Sequence, residues 1–202
     1  MKTKVRGFTL VEVMVALIVI AIGMLGIAKM QGLALSSTGA SRSRALAAIE
    51  ASSLAGAMQA NRAYWSAATS IPGTIGVTTS GGSATVTVPD SATMQAAVTA
   101  AAGAACSGMG MTLSCLCTSG QSAPCTTINL AGADVYDWAQ SLATFLPNAT
   151  AQVTCHNADQ PVDCTIVINW NETAVALTTQ EANAIATNGA TVPVSFTLYV
   201  VP

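Results

Sequence analysis

From Phe8 to Ala28 the chain is apolar except for one carboxylate, Glu12. As a helix rising 1.5 Å per residue this run is about 31 Å long, the thickness of a bilayer's hydrocarbon core. An acid so placed is expensive: on insertion scales a charged side chain at mid-span costs roughly 3 kcal/mol. Any fold for this chain must house the run and give Glu12 a reason to be there. Two readings meet the first demand. The run is a retained membrane helix, or it is the core of a cleaved secretory signal with Ala34-Leu35-Ser36 as a small-x-small cleavage site. Glu12 favours the retained helix, because a disposable signal has no use for an acid.

The helical pattern continues past the apolar run. Residues 29 to 62 hold no proline, and Ala48, Ala51, Ala55 and Met58 recur at three- and four-residue steps, with Leu46, Ile49 and Leu54 alongside. Ser36-Ser37-Thr38-Gly39 is a stretch of lower helix propensity within it. Residues 8–62 therefore predict one helix about 80 Å long. The rest of the chain builds no compact domain able to bury such a helix from end to end. Its first half must lie in lipid or against other copies. Gly23, Gly26, Ala28, Gly32 and Ala34 either let neighbouring helices approach closely or are merely tolerated in a membrane helix. The expected division is a leader at 1–7, the long helix at 8–62 with 8–28 as its transmembrane or filament-forming part, and a globular head at 63–202.

Charge sets the orientation. Lys2, Lys4 and Arg6 precede the apolar run, and only Lys29 follows it closely. Basic flanks stay cytoplasmic, so the chain is expected to lie N-inside, with its head in the periplasm or beyond. All seven Lys and Arg lie at or before Arg62. Beyond it stand only acids (Asp90, Asp134, Asp137, Asp159, Asp163, Glu172 and Glu181), a net charge of −7. A nucleic acid is held by displacing its counterions with Lys and Arg, so the head is not expected to bind one. All six cysteines (Cys106, Cys115, Cys117, Cys125, Cys155 and Cys164) fall in this head. An even count beyond a membrane segment points to disulfides formed in an oxidising compartment.

The head reads as α+β, with a small antiparallel sheet packed on the distal half of the long helix. Ser80-Gly81-Gly82-Ser83 marks a turn and Ala84 to Val88 a short strand. Residues 92–102 are an Ala-rich helix, and 103–128 a cysteine-stapled loop. Residues 131–146 form a helix with Val135, Trp138, Leu142 and Phe145 on one face and Leu146 alongside. Asp134 and Asp137 then fall in its early turns, where they suit the helix dipole. Strands at 151–156 and 163–171 flank a turn at 157–161, with Cys164, Ile166, Ile168 and Trp170 on one face of the second. Cys155 and Cys164 become cross-strand neighbours. A short helix at 178–188 and a last strand at 192–200 complete the order.

Arg6-Gly7-Phe8-Thr9-Leu10-Val11-Glu12 resembles the processing site of class III signal sequences, found in type IV pilins and in the pseudopilins of type II secretion. The resemblance implies cleavage between Gly7 and Phe8 by a prepilin peptidase and N-methylation of Phe8. It also implies retention of the apolar helix as membrane anchor and then filament stem, in a type IV pilin fold. In a filament, Glu12 of one subunit would meet the Phe8 amine of a neighbour. An opposite charge of this kind offsets the burial of a carboxylate. A second resemblance rests on Asp134-x3-Trp138-x3-Leu142-x3-Leu146-Pro147, the Cys155 to Cys164 hairpin, Ile168-Asn169-Trp170 and the Arg44 to Arg62 helix. These residues are similar to minor pilins of the PilV type, called type IV pilus modification proteins. Major pilins usually carry proline at the twenty-second mature position, where this chain has Lys29. The partners implied are other minor and major pilins, the prepilin peptidase, the inner-membrane assembly machinery, and the membrane itself before assembly. The implied location is the inner membrane and then the pilus at the cell surface, with twitching motility and attachment as the processes served.

Enzyme chemistry finds no footing. His156 is the one histidine and adjoins Cys155, whereas a nucleophile pair converges from separate parts of a chain. Cys115-x-Cys117 lacks the usual zinc-ligand spacing, so disulfides are favoured over a metal, and no cofactor is expected. If Cys155 bonds Cys164, Cys115 and Cys117 each pair with Cys106 or Cys125, and the sequence does not choose between the two pairings. Two other functions share parts of this pattern: a minor pseudopilin of a type II secretion system, and an anchored periplasmic binding or adhesion module that never assembles.

Overall fold

A computed structural model describes residues 9–67, 71–102, 126–156, 161–173, 180, 183 and 191–202. The first element, α1, runs unbroken over Leu10–Ala60, about 76 Å of helix at the standard rise. Its start is fixed by Thr9, whose Oγ1 accepts a hydrogen bond from the Glu12 N–H. It stops at Asn61, whose N–H bonds the Ala57 carbonyl while its Nδ2 donates to the Thr127 carbonyl at 2.7 Å. A single turn, α2 (Arg62–Trp65), follows and buries Tyr64 and Trp65 edge to face. The strands and helices then run β1 (Thr74–Ser80), β2 (Ser83–Thr87), α3 (Ala92–Ala102), α4 (Thr127–Phe145), β3 (Thr150–His156), β4 (Asp163–Thr173) and β5 (Thr191–Val200).

The strands form one antiparallel sheet in the order β2-β1-β3-β4-β5. The β1–β2 turn puts Gly81 and Gly82 at φ +59° and +79°, the two-residue turn with both central residues left-handed that matches strand twist. One face of the sheet is covered, α1 lying on β4 and β5, and α4 on β1 and β2. The seam is built from Ala47, Ala51, Leu54 and Met58 of α1, with Val135, Trp138 and Leu142 of α4 and Ile166 and Ile168 of β4, all buried. Small side chains at Ala47 and Ala51 let α1 approach closely. Fully burying a side chain the size of Leu54 contributes about 2 kcal/mol. The result is the α+β layout expected, a long helix packed by its distal half on a small antiparallel sheet.

Four details depart from the expectations. The apolar stripe of α1 runs through Ala47, Ala51, Leu54 and Met58, so Ile49 faces outward at 61% exposure. A strand at Thr74–Ser80, not anticipated, pairs with the one expected near Ala84. Helix α4 begins at Thr127 under a Thr126 cap, not at 131, so Asp134 and Asp137 sit mid-helix and away from the dipole's end. Phe145 is 49% exposed and Leu146 takes the buried place instead. Pro147 and Asn148, the latter at φ +64°, end the helix there, and Leu146, one i,i+4 step after buried Leu142, falls nearer the centre of the buried face than Phe145 does. The loop expected at 103–128 gives way at Thr126 to the cap and first turn of α4; its residues 103–125, residues 157–160 of the expected turn and most of the helix expected at 178–188 lie outside the described residues, although Gln180 and Asn183 are helical.

Candidate assembly interface

The exposed part of α1 is the surface that most needs a partner. Its large apolar side chains from Leu10 to Met30 are 50% to 77% exposed. Among the described residues none from Leu10 to Leu46 is buried. A helix apolar on every side belongs in lipid or in a packed core, and a contiguous apolar surface of this extent marks an interaction site. This is also the one described helix long and apolar enough to cross a membrane. Cβ atoms built on Gly23, Gly26 and Gly32 meet nothing within 4 Å, so no packing inside this chain calls for glycine there.

At the tip, Glu12 is exposed in the first turn of α1, three residues after the capping Thr9. Thr9-x-x-Glu12 is the pattern of a capping box, in which an acid at the third helical position complements the free N–H groups and the dipole. In the sequence Thr9 enters only as part of the processing motif; its capping role is the added finding, signalled by Thr-x-x-Glu ahead of an apolar run. Gly7 and Phe8, the residues of the expected cleavage and methylation, lie outside the described residues.

Where the stem joins the head, Arg44 grips Glu172 of β4 through two hydrogen bonds, from Nε at 3.0 Å and Nη2 at 2.9 Å. Trp170 Nε1 also donates to Glu172, at 3.2 Å. The hydrogen bonds and charge of Arg44 hold the Glu172 carboxyl below its usual range and push the guanidinium higher still. Six residues further along α1, Glu50 is 5% exposed. Its carboxylate accepts from Ser141 Oγ at 2.9 Å, and its carbonyl from Trp138 Nε1 at 2.9 Å. Burial raises the Glu50 carboxyl above its usual range, and the Ser141 hydrogen bond opposes that shift. Burial, and then the charge of Asp137, push Asp134 up to about 6. Sequence spacing could not find the Arg44–Glu172, Glu50–Trp138 and Glu50–Ser141 contacts, since each joins residues more than eighty positions apart.

At the far end of the head, Cys155 and Cys164 are bonded and stand opposite each other in the β3–β4 register. The Cys155 N–H points the other way, to the Gly73 carbonyl at 2.9 Å. The two cysteines therefore form a non-hydrogen-bonded pair, the kind that brings side chains closest. Cys106, Cys115, Cys117 and Cys125 lie outside the described residues.

The family model described as the prokaryotic N-terminal methylation motif matches residues 2–28. No curated protein and no solved structure matches the chain. The matched residues cover the basic leader, Gly7, Phe8 and Glu12 and the start of the exposed helix. The chain thus carries a prepilin-type N-terminal methylation motif, the mark of a pilin-like or pseudopilin precursor, on an α+β protein whose apolar stem stands clear of its head.

Proposed function

We propose that the chain is a minor type IV pilin, a structural subunit and not an enzyme. It waits in the inner membrane with its head in the periplasm, and after cleavage between Gly7 and Phe8 it enters the filament, where it helps to start assembly. The observation that carries this reading is an apolar stem with no partner in its own chain, holding Glu12 in its first turn behind a methylation motif. In lipid the stem's apolar surface is satisfied, and in a filament core it is satisfied again by neighbouring stems. Transfer between the two therefore keeps the apolar contacts, and the pairing of Glu12 with the methylated amine of a neighbour's Phe8 sets the register. Breaking a buried pair by removing one partner costs about 3–5 kcal/mol, enough to decide incorporation.

N-terminal mass spectrometry of the mature protein should find methylated Phe8 as the first residue. A chain beginning at Met1 or near Ser37 would sink the reading. Deleting the gene should abolish surface pili or twitching. If it instead blocks export of folded proteins while pili remain, the chain is a minor pseudopilin of a type II secretion system. If cleavage occurs but the chain never enters a filament, it is an anchored binding module.

A further inference from the structure

The helices pack on one face of the sheet, and the side chains of the opposite face point away from them. Register lines Thr85, Thr78, Thr150, Asn169 and Ser195 into a single row across all five strands, and all five are exposed. The adjoining row on the same face runs Thr87, Gly76, Gln152, Val167 and Thr197, three polar side chains with one valine and one glycine between them. Neither row holds a charge. Among the described residues of this face, His156 Nδ1 and Asp163 Oδ2 lie 3.1 Å apart at the β3–β4 hairpin end, away from both rows. Tyr199 stands on the same face of the β5 edge and is 76% exposed.

The chemistry of the face selects its occupant. A nucleic acid or an anionic bilayer is held by Lys and Arg, and the chain has neither beyond Arg62. An apolar protein surface or a membrane interior needs a contiguous apolar patch, and this face offers hydroxyls and amides instead. Hydroxyls and amides both donate and accept, and strands about 4.8 Å apart space a five-strand row over about 19 Å. Such a row complements a flat, uncharged ligand that is itself dense in hydroxyl groups. An exposed aromatic ring at its margin supplies an apolar platform for the ring face of a sugar. We infer that the outer face of the sheet binds a neutral polysaccharide in an extended, ribbon-like conformation. The inference does not depend on filament assembly, because the face belongs to the head alone.

The test uses the full-length chain in neutral detergent micelles, incubated with microcrystalline cellulose and with chitin beads. Retention is expected on at least one of them. It should be unchanged between about 50 mM and 1 M salt, since no ionic contact is involved. Thr150→Val and Thr78→Val each remove one hydroxyl and keep a branched strand residue, and each should weaken retention about fivefold. Tyr199→Ala should weaken it comparably, whereas Ser52→Val on the exposed side of α1 should leave it unaltered. Circular dichroism checks that each variant is folded. No retention on either solid, retention indifferent to all three face substitutions, or retention only on an anionic polymer and lost with salt would each overturn the inference. A chain that binds cellulose or chitin but fails to assemble would leave it standing while rejecting the pilin reading.

Discussion

Two carboxylates, Glu12 and Asp134, are each set against apolar surroundings for different physical reasons. Glu12 is exposed in the first turn and follows the Thr9 cap by three residues, a position where an acid complements the free N–H groups and dipole of its own helix. Glutamine preserves a capping box and alanine does not. If the amine pair governs assembly, Glu12→Gln and Glu12→Ala should both insert and be cleaved, yet both should fall roughly a hundredfold or more in sheared filaments relative to membranes. Immunoblotting of the two fractions measures this, and normal incorporation of the glutamine variant would mean that capping is the residue's purpose. Asp134 is a matter of head stability. Its carboxyl is raised to about 6 by burial and by Asp137, so the folded head holds that proton more tightly than the unfolded chain does. The stabilisation is complete below the ordinary aspartate range, near pH 4, and is lost as pH rises through about 6. Asp134→Asn should therefore stabilise the head at pH 7 by about 1 kcal/mol, a figure reduced for solvent screening of a group that keeps some exposure. It should change little at pH 4. Urea midpoints at the two pH values decide it, and an equal effect at both would remove the ionisation from the explanation.

Among the elements, the crossing of α3 and α4 is the tightest place. A Cβ on Gly132 would lie 2.6 Å from the Ala97 Cβ and 2.9 Å from the Val98 backbone nitrogen. Backbone on a packed helix has nowhere to retreat, so Gly132→Ala should cost about 1–3 kcal/mol despite alanine's better helix propensity. Gly56→Ala on α1, where an added Cβ meets nothing, should gain about 0.5–1 kcal/mol. Chemical denaturation of both variants measures the pair, and a destabilised Gly56→Ala would show that its open space is needed. The same elements show what the sequence disclosed. Periodicity revealed β4, because Cys164, Ile166, Ile168 and Trp170 alternate cleanly and are all buried. It missed β1, where only Ile75 and Val77 are apolar and the inward Thr79 is satisfied by the Leu146 and Ala149 carbonyls. It places the start of α4 too late, because the apolar period begins only at Ala131, whereas the Thr126 hydroxyl caps a helix that starts at Thr127. The stem was legible in full, since an all-round apolar helix announces itself without tertiary information. The Arg44–Glu172 grip was not, because only the fold brings those residues together.

At the scale of the whole molecule, stem and head are mechanically one helix but thermodynamically two parts. No described residue of α1 before Ala47 is buried, and just ahead of it the Arg44–Glu172 pair ties the helix to the sheet. The stem's apolar surface therefore contributes nothing to the folding of the head, and all of it remains available to lipid or to other stems. A hydrophobic contribution is proportional to the apolar area removed from water, and here that area is removed only by association. Deleting residues 1–28 should leave the head's thermal midpoint within about 2 °C of that of the full chain in detergent, the shift expected for a change well under 1 kcal/mol. The same deletion should abolish self-association: without detergent the full chain should aggregate, and the truncated chain should elute as a monomer. Near-UV circular dichroism, which reports on Trp65, Trp138 and Trp170 in the core, follows the first property and size-exclusion chromatography the second. A truncated head that melts many degrees lower would show that the stem folds back on it in solution, and the separation of an assembling stem from a self-sufficient head would fail. If the midpoint holds, the free energy of the stem is spent wholly between molecules, as a subunit that passes from bilayer to filament requires.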